Sequence, residues 1–145
     1  MTSSTDTVIA ALETFEPLDD SDNFRRLYRI FDGFGSLADR EKAMPAMFSV
    51  LERYPDAELG SPGPLVHELE AIAGYRQLLK ASLAVKPTYL TVWMVNRVLN
   101  SKLEATERQT WLGLLHAAAK HPQAVSSARE AANDFIRHQA ERSNA

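Results

Sequence analysis

The 145-residue chain contains no cysteine, only six glycines, seven prolines and 8% aromatic residues, and no apolar run approaches the length that crosses a bilayer. Without cysteine there is no disulfide, no thiol nucleophile and no cysteine-ligated metal, a composition that fits a reducing cytosol. The opening "MTSSTDTVIAALETF" lacks a basic n-region, and Glu13 interrupts its apolar residues, so neither a secretory signal nor a membrane span is expected there. The expected localisation is cytoplasmic. An excess of charge of one sign is lacking as well. The net charge is −3, and the small basic cluster of Arg25, Arg26 and Arg29 is offset by the acids just before it. That balance argues against nucleic-acid binding and, where charge selects a partner, favours a basic one.

Motifs of catalysis and cofactor binding are lacking too. "HELE" begins like a zincin signature, but the residue four after His67 is Ala71, so the second histidine ligand is missing and no metal is expected. "DDSDNFRRLYRI" starts like a calcium loop, yet Phe24 stands where the sharp turn needs glycine and Ile30 where a bidentate glutamate is required. Asp19, Asp20 and Asp22 read instead as a linker with an N-cap. No G-x-S-x-G is present, and the four histidines His67, His116, His121 and His138 lie within or at the ends of helical segments, His116 beside an apolar stripe that partly buries it. Gly33-Phe34-Gly35 follows a helix, whereas phosphate-cradling loops precede one. No catalytic residue and no cofactor is expected.

What the sequence does contain is helical periodicity. Val8, Leu12 and Phe15 form one face before Pro17. Phe24, Leu27, Tyr28 and Phe31 form a stripe, with Ser21 or Asp22 as N-cap and Gly33 as the C′ stop. Met44, Met47, Phe48 and Leu51 form another, in a helix that either starts near Pro45 or kinks there. Leu65, Leu69, Ile72, Leu79 and Leu83 hold helical phase across Gly74, the weak point, until Lys86-Pro87.

"PTYLTVWMVNRVLN" is apolar all round, as in a helix central to a core; its β-branched and aromatic residues also suit a strand, but its length and the lack of a second strand favour helix. If it is buried, Asn96 and Arg97 must find partners: a core-edge carboxylate for Arg97 and a neighbouring backbone end for Asn96, or else both line a binding groove. Trp111, Leu114, Leu115, Ala118 and Ala119 mark a helix closed by His121-Pro122. Val125, Ala128, Ala132, Phe135 and Ile136 mark the last one, ending at His138 before a polar tail. The fold class expected is all-α: one domain over residues 1–145 with loose ends at about 1–5 and 139–145, built as a compact bundle or a short solenoid-like stack of about seven helices.

The stiffest point is "GSPGP", residues 60–64. Ser61 can cap, and Pro62 or Pro64 can occupy the first turn of a helix, where a missing N–H costs nothing. A rigid, exposed corner flanked by acids is also a place where a partner can dock with little loss of entropy.

At "LGSPGPLVHELE" and "KPTYLTVWMVNRVLN", over residues about 55–102, the chain resembles small bacterial immunity proteins of polymorphic toxin systems, the cognate inhibitors of contact-dependent or Rhs-type toxins. The likeness is one of texture: glycine and proline before a helix, then a tryptophan-bearing apolar helix ending in asparagine and arginine. It carries over no functional residue. It implies a non-enzymatic protein that binds one toxin domain tightly and occludes it. Such an inhibitor works through a complementary surface rather than a motif. The acidic contributors expected toward a basic toxin surface are Asp19, Asp20, Asp22, Asp56, Glu58, Glu68 and Glu70. Two alternatives stay open: a helical adaptor or regulatory protein, and a small enzyme with a pocket around His67, Glu70 and Arg97.

Overall fold

The computed structural model describes residues 4–18 and 22–143. Among them all secondary structure is helical: α1 Thr5–Glu13, α2 Asn23–Ile30, α3 Met44–Arg53, α4 Pro64–Glu70, α5 Tyr75–Val85, α6 Tyr89–Leu99, α7 Ala105–Lys120 and α8 Ser126–Ser143, with 3-10 turns at Phe34–Ser36 and Arg40–Ala43. None of these helices is long and apolar enough to cross a membrane. Among the described residues the α-helices number eight, not about seven. The extra one comes from Gly74, whose φ of 89° lies in the left-handed region and splits the long run into α4 and α5. The central apolar segment is a helix, α6, and α8 continues to Ser143, past the His138 end that apolar periodicity sets.

Chain contacts divide the molecule into two compact units, Met1–Leu79 and Lys80–Ala145, the division falling inside α5. In the first unit α3 packs on α1 and α4, and α2 packs on α1 and α4. Val8 and Leu12 of α1, Leu27 of α2, Met47 and Leu51 of α3, and Leu65 and Leu69 of α4 are all buried. Pro45 sits in the first turn of α3, the permitted position, so that helix begins there rather than kinking. The last carbonyls of α1 have no partner within the helix. Arg53 supplies one: its Nη2 donates to Leu12 O at 2.8 Å and its Nη1 to Glu13 O at 3.1 Å. At the other end of α1, the Thr5 hydroxyl donates to Asp39 Oδ1 at 2.5 Å.

In the second unit α6, α7 and α8 pack pairwise on one another. Thr88 and Thr91 form a capping box that starts α6: the Thr88 hydroxyl accepts from Thr91 N at 3.2 Å, and the Thr91 hydroxyl accepts from Thr88 N at 2.9 Å. Except for Tyr89, Trp93 and Arg97, which repeat every four residues along one edge, the residues of α6 are buried. His121 ends α7 with extended backbone and ties in α5, its ring Nδ1 accepting from Gln123 N at 3.0 Å, so Nε2 carries the proton that it gives to Ala84 O at 2.8 Å.

Asn96 does not cap a neighbouring helix end. It is bound by a buried glutamine: Gln139 Nε2 donates to Asn96 Oδ1 at 2.7 Å and to Asn100 Oδ1 at 2.9 Å, while Gln139 Oε1 accepts from Arg108 Nη2 at 3.0 Å. Arg108 also reaches Leu99 O at 3.1 Å, and Arg142 donates to Asn100 Oδ1. One buried side chain thus joins the ends of three helices with its amide satisfied on both sides. Arg97 lies on the exposed edge of α6.

Candidate functional site

The site assembles where α2 meets the corner that opens α4. Gly63 is the N-cap of α4 and Pro64 its first residue, so the proline at the first helical position is Pro64; Ser61 makes no cap. The corner folds back on itself. Gly63 takes φ 87° and ψ 179°, a region essentially reserved to glycine, and a Cβ there would stand 2.2 Å from the Leu59 carbonyl oxygen. Gly60, at φ 117°, is as constrained, since its Cβ would meet Gly63 Cα at 2.3 Å. The Ser61-Pro62 peptide is cis. Leu59 anchors the turn from beneath at 2% exposure. A short, stiff wall results, built from backbone.

Helix α2 supplies the facing wall. Of the stripe that periodicity marks, the structure buries Leu27 and Phe31 and leaves Phe24 38% and Tyr28 51% exposed. Eight residues make little more than two turns, and the core takes only the Leu27 and Phe31 side of the stripe. Phe24 and Tyr28, one turn apart, meet edge to face with centroids 6.4 Å apart. Phe31 instead turns inward onto Phe34 at 5.2 Å. Helix α2 ends with Phe31 as cap, and Gly33, at φ 74°, serves the following 3-10 turn rather than the helix end.

Between the walls lies a groove of about 390 Å³ lined by Phe24, Tyr28, Glu58, Pro64, His67 and the backbone of the corner. Among the described residues the charge-bearing side chains in this lining are Glu58 and His67, with no lysine or arginine. Glu58 is exposed and makes no ion pair with another described residue. In two other hollows a lining arginine is engaged by the fold's own backbone. One of about 510 Å³ is lined by Arg40, whose guanidinium donates to Gly35 O and to Ala71 O. Another of about 330 Å³ is lined by Arg26, held by Glu16 O at 2.8 Å and lying 4.7 Å over the Phe15 ring.

The expected acidic contributors that the structure describes do not gather at the groove. Asp19 and Asp20 lie outside the described residues. Asp22 begins α2 without a side-chain cap bond and pairs with Arg25 at 3.7 Å. Asp56 is exposed in the turn before the corner. Glu68 and Glu70 lie on α4, half-buried and outside the groove lining. Burial raises the Glu68 carboxyl above its ordinary value, opposed by the positive charge of Arg40 and His67. Of the five acids among the described residues, Glu58 alone lines the groove.

Of the residues of the enzyme alternative, His67 lines the groove and Glu70 does not, while Arg97 lies on α6 in the second unit. His116, expected to be partly buried, is exposed. Among the described residues no three of His, Asp and Glu stand where they could share a metal ion. Phe24 and Tyr28 are the site residues that the sequence marks only as part of an apolar stripe. Compared with protein-family models, curated proteins and solved structures, the chain matches none.

Proposed function

We propose that the chain is a non-enzymatic binding protein that docks on a partner protein of basic surface through the groove between α2 and the Gly60–Pro64 corner. The observation that carries this reading is the outward turn of Phe24 and Tyr28. Large aromatics left exposed beside a rigid pocket are the residue type and setting in which binding energy concentrates at protein interfaces. The corner loses little entropy on docking because glycine-specific backbone and proline already fix it. In the same reading the partner is a bacterial toxin domain, neutralised in the cytoplasm by occlusion. That part rests on the resemblance over residues about 55–102. An adaptor would use the same face without changing its partner's toxicity.

Capture from the native host, identification of the captured protein and its co-expression with this chain test the reading. The expected result is that the captured protein is toxic alone, harmless with the wild-type chain and toxic again with the Phe24→Ala/Tyr28→Ala variant. A captured partner with no toxicity to neutralise contradicts the immunity reading. Full protection by the double variant contradicts the assignment of the face.

A further inference from the structure

We infer that the group received by this groove is a single arginine side chain projecting from the partner. The inference rests on the docking face proposed above and names what that face recognises. Three features converge on a planar cation. Among the described residues the lining carries the carboxylate of Glu58 and the imidazole of His67 and no lysine or arginine, so a cation entering meets a carboxylate and no permanently charged base. That carboxylate makes no ion pair with another described residue. One wall is the exposed aromatic pair of Phe24 and Tyr28, and a guanidinium gains from lying on an aromatic face while its edge donates to a carboxylate.

The basic residues of α2 itself do not fill this role. Arg25 is held by Asp22 at 3.7 Å, Arg26 by Glu16 O, and Arg29 lines the separate hollow beside Thr14 and Phe15. The chain already shows the same stacking elsewhere, with the Arg26 guanidinium 4.7 Å over Phe15 and that of Arg53 5.3 Å over Tyr54. Arginine is favoured over lysine because its flat, weakly hydrated guanidinium can stack and donate at once, whereas an ammonium is a compact, strongly hydrated point charge. An apolar side chain would leave Glu58 at the mouth without a counter-charge, and an anion would be repelled by it.

The test is an NMR titration of the ¹⁵N-labelled full chain at millimolar concentrations of three blocked tripeptides, Gly-Arg-Gly, Gly-citrulline-Gly and Gly-Lys-Gly. Citrulline keeps the shape of arginine and removes its charge. The arginine peptide is expected to shift the amides of residues 23–30 and 58–67 selectively, with the citrulline peptide at least fivefold weaker and the lysine peptide in between. Glu58→Gln is expected to weaken the arginine peptide about tenfold, as loss of one charge-assisted bond does, and to leave the citrulline response unchanged. Tyr28→Leu, which keeps the apolar surface and removes the ring, should weaken it severalfold. Equal responses to arginine and citrulline, or arginine shifts centred outside those two segments, overturn the inference. Failure here is separable from failure of the docking face. If the peptides do not discriminate but Phe24→Ala/Tyr28→Ala still abolishes partner binding, the face stands and the arginine does not. If the double variant binds the partner as tightly as wild type, the face itself is wrong.

Discussion

Gln139, near the end of the last helix, donates its side-chain amide to Asn96 at 2.7 Å, and both residues are buried. Replacing Gln139 by leucine leaves the buried Asn96 side-chain carbonyl without its donor. The expected loss is about 1–3 kcal/mol for each polar group stranded in that way. Adding Asn96→Leu should recover part of the loss, because two apolar side chains strand less than one. Both tryptophans, Trp93 and Trp111, lie in the second unit, so denaturant unfolding followed by tryptophan fluorescence reads this unit directly. A double variant that is additive, with no recovery, contradicts the coupling.

The corner offers a prediction at a single backbone position. Gly63→Ala forces a Cβ to within 2.2 Å of the Leu59 carbonyl oxygen in a conformation that only glycine adopts comfortably. The expected cost is about 1–3 kcal/mol. Gly35→Ala is the control, since a Cβ there meets nothing within 4 Å and its φ is unexceptional. Thermal melts followed by far-ultraviolet circular dichroism should show a clear drop for the first and little change for the second. Equal melts contradict the constraint.

The Thr5–Asp39 contact predicts a pH dependence with a definite sign. The Thr5 hydroxyl, first among several causes, holds the Asp39 carboxyl below its ordinary value of 3.8. In the window from that value downward the unfolded chain binds the proton first, so stability rises with pH. The contribution is fully present above the ordinary aspartate range and is lost as pH falls through the lowered folded value. Glu68 acts in the opposite sense. Burial raises its carboxyl, the folded chain holds the proton longer, and its contribution falls as pH rises above the ordinary glutamate value of 4.5. Thr5→Val isolates the first effect: it should lower stability at neutral pH and flatten the acid-side slope. Urea titrations from pH 3 to pH 6 check this, and parallel slopes for variant and wild type contradict it.

Trp111 is buried at 1% exposure, with its indole N–H lacking any partner among the described residues and Lys80 Nζ 5.2 Å from its ring centroid. Trp111→Phe removes the stranded donor along with part of the packing, whereas Trp111→Ala removes the packing wholesale at about 3–5 kcal/mol. The phenylalanine variant should therefore lose less than half of what the alanine variant loses. Similar losses, measured by circular dichroism, would mean the indole N–H does find a partner in solution.

Helices were legible in the sequence wherever apolar spacing and a stop signal agreed. Pro45 and Pro64 fell in first turns as the missing N–H dictates, and the even apolar surround of residues 89–99 is that of a helix buried on nearly every side. Phase alone could not show the break at Gly74, because Leu69, Ile72 and Leu79 stay in register across it while the glycine adopts positive φ. Gln139 reads as part of a polar tail, although it continues the Ala128, Ala132 and Ile136 face by three residues, and that phase is the signal for it. The site was the least legible part. Periodicity places Phe24 and Tyr28 on one stripe with Leu27 and Phe31, but how much of the stripe the core covers depends on where α4 packs, and that is long-range information.

The central claim is that the face made by α2 and the Gly60–Pro64 corner holds the partner. Hydrogen exchange on the full chain, with and without the captured partner, reads it most directly. The expected result is new protection in peptides covering residues 22–31 and 58–70, with little change along Tyr89, Trp93 and Arg97, the other exposed aromatic edge. Protection confined to that second edge, with the first two segments unchanged, would contradict it.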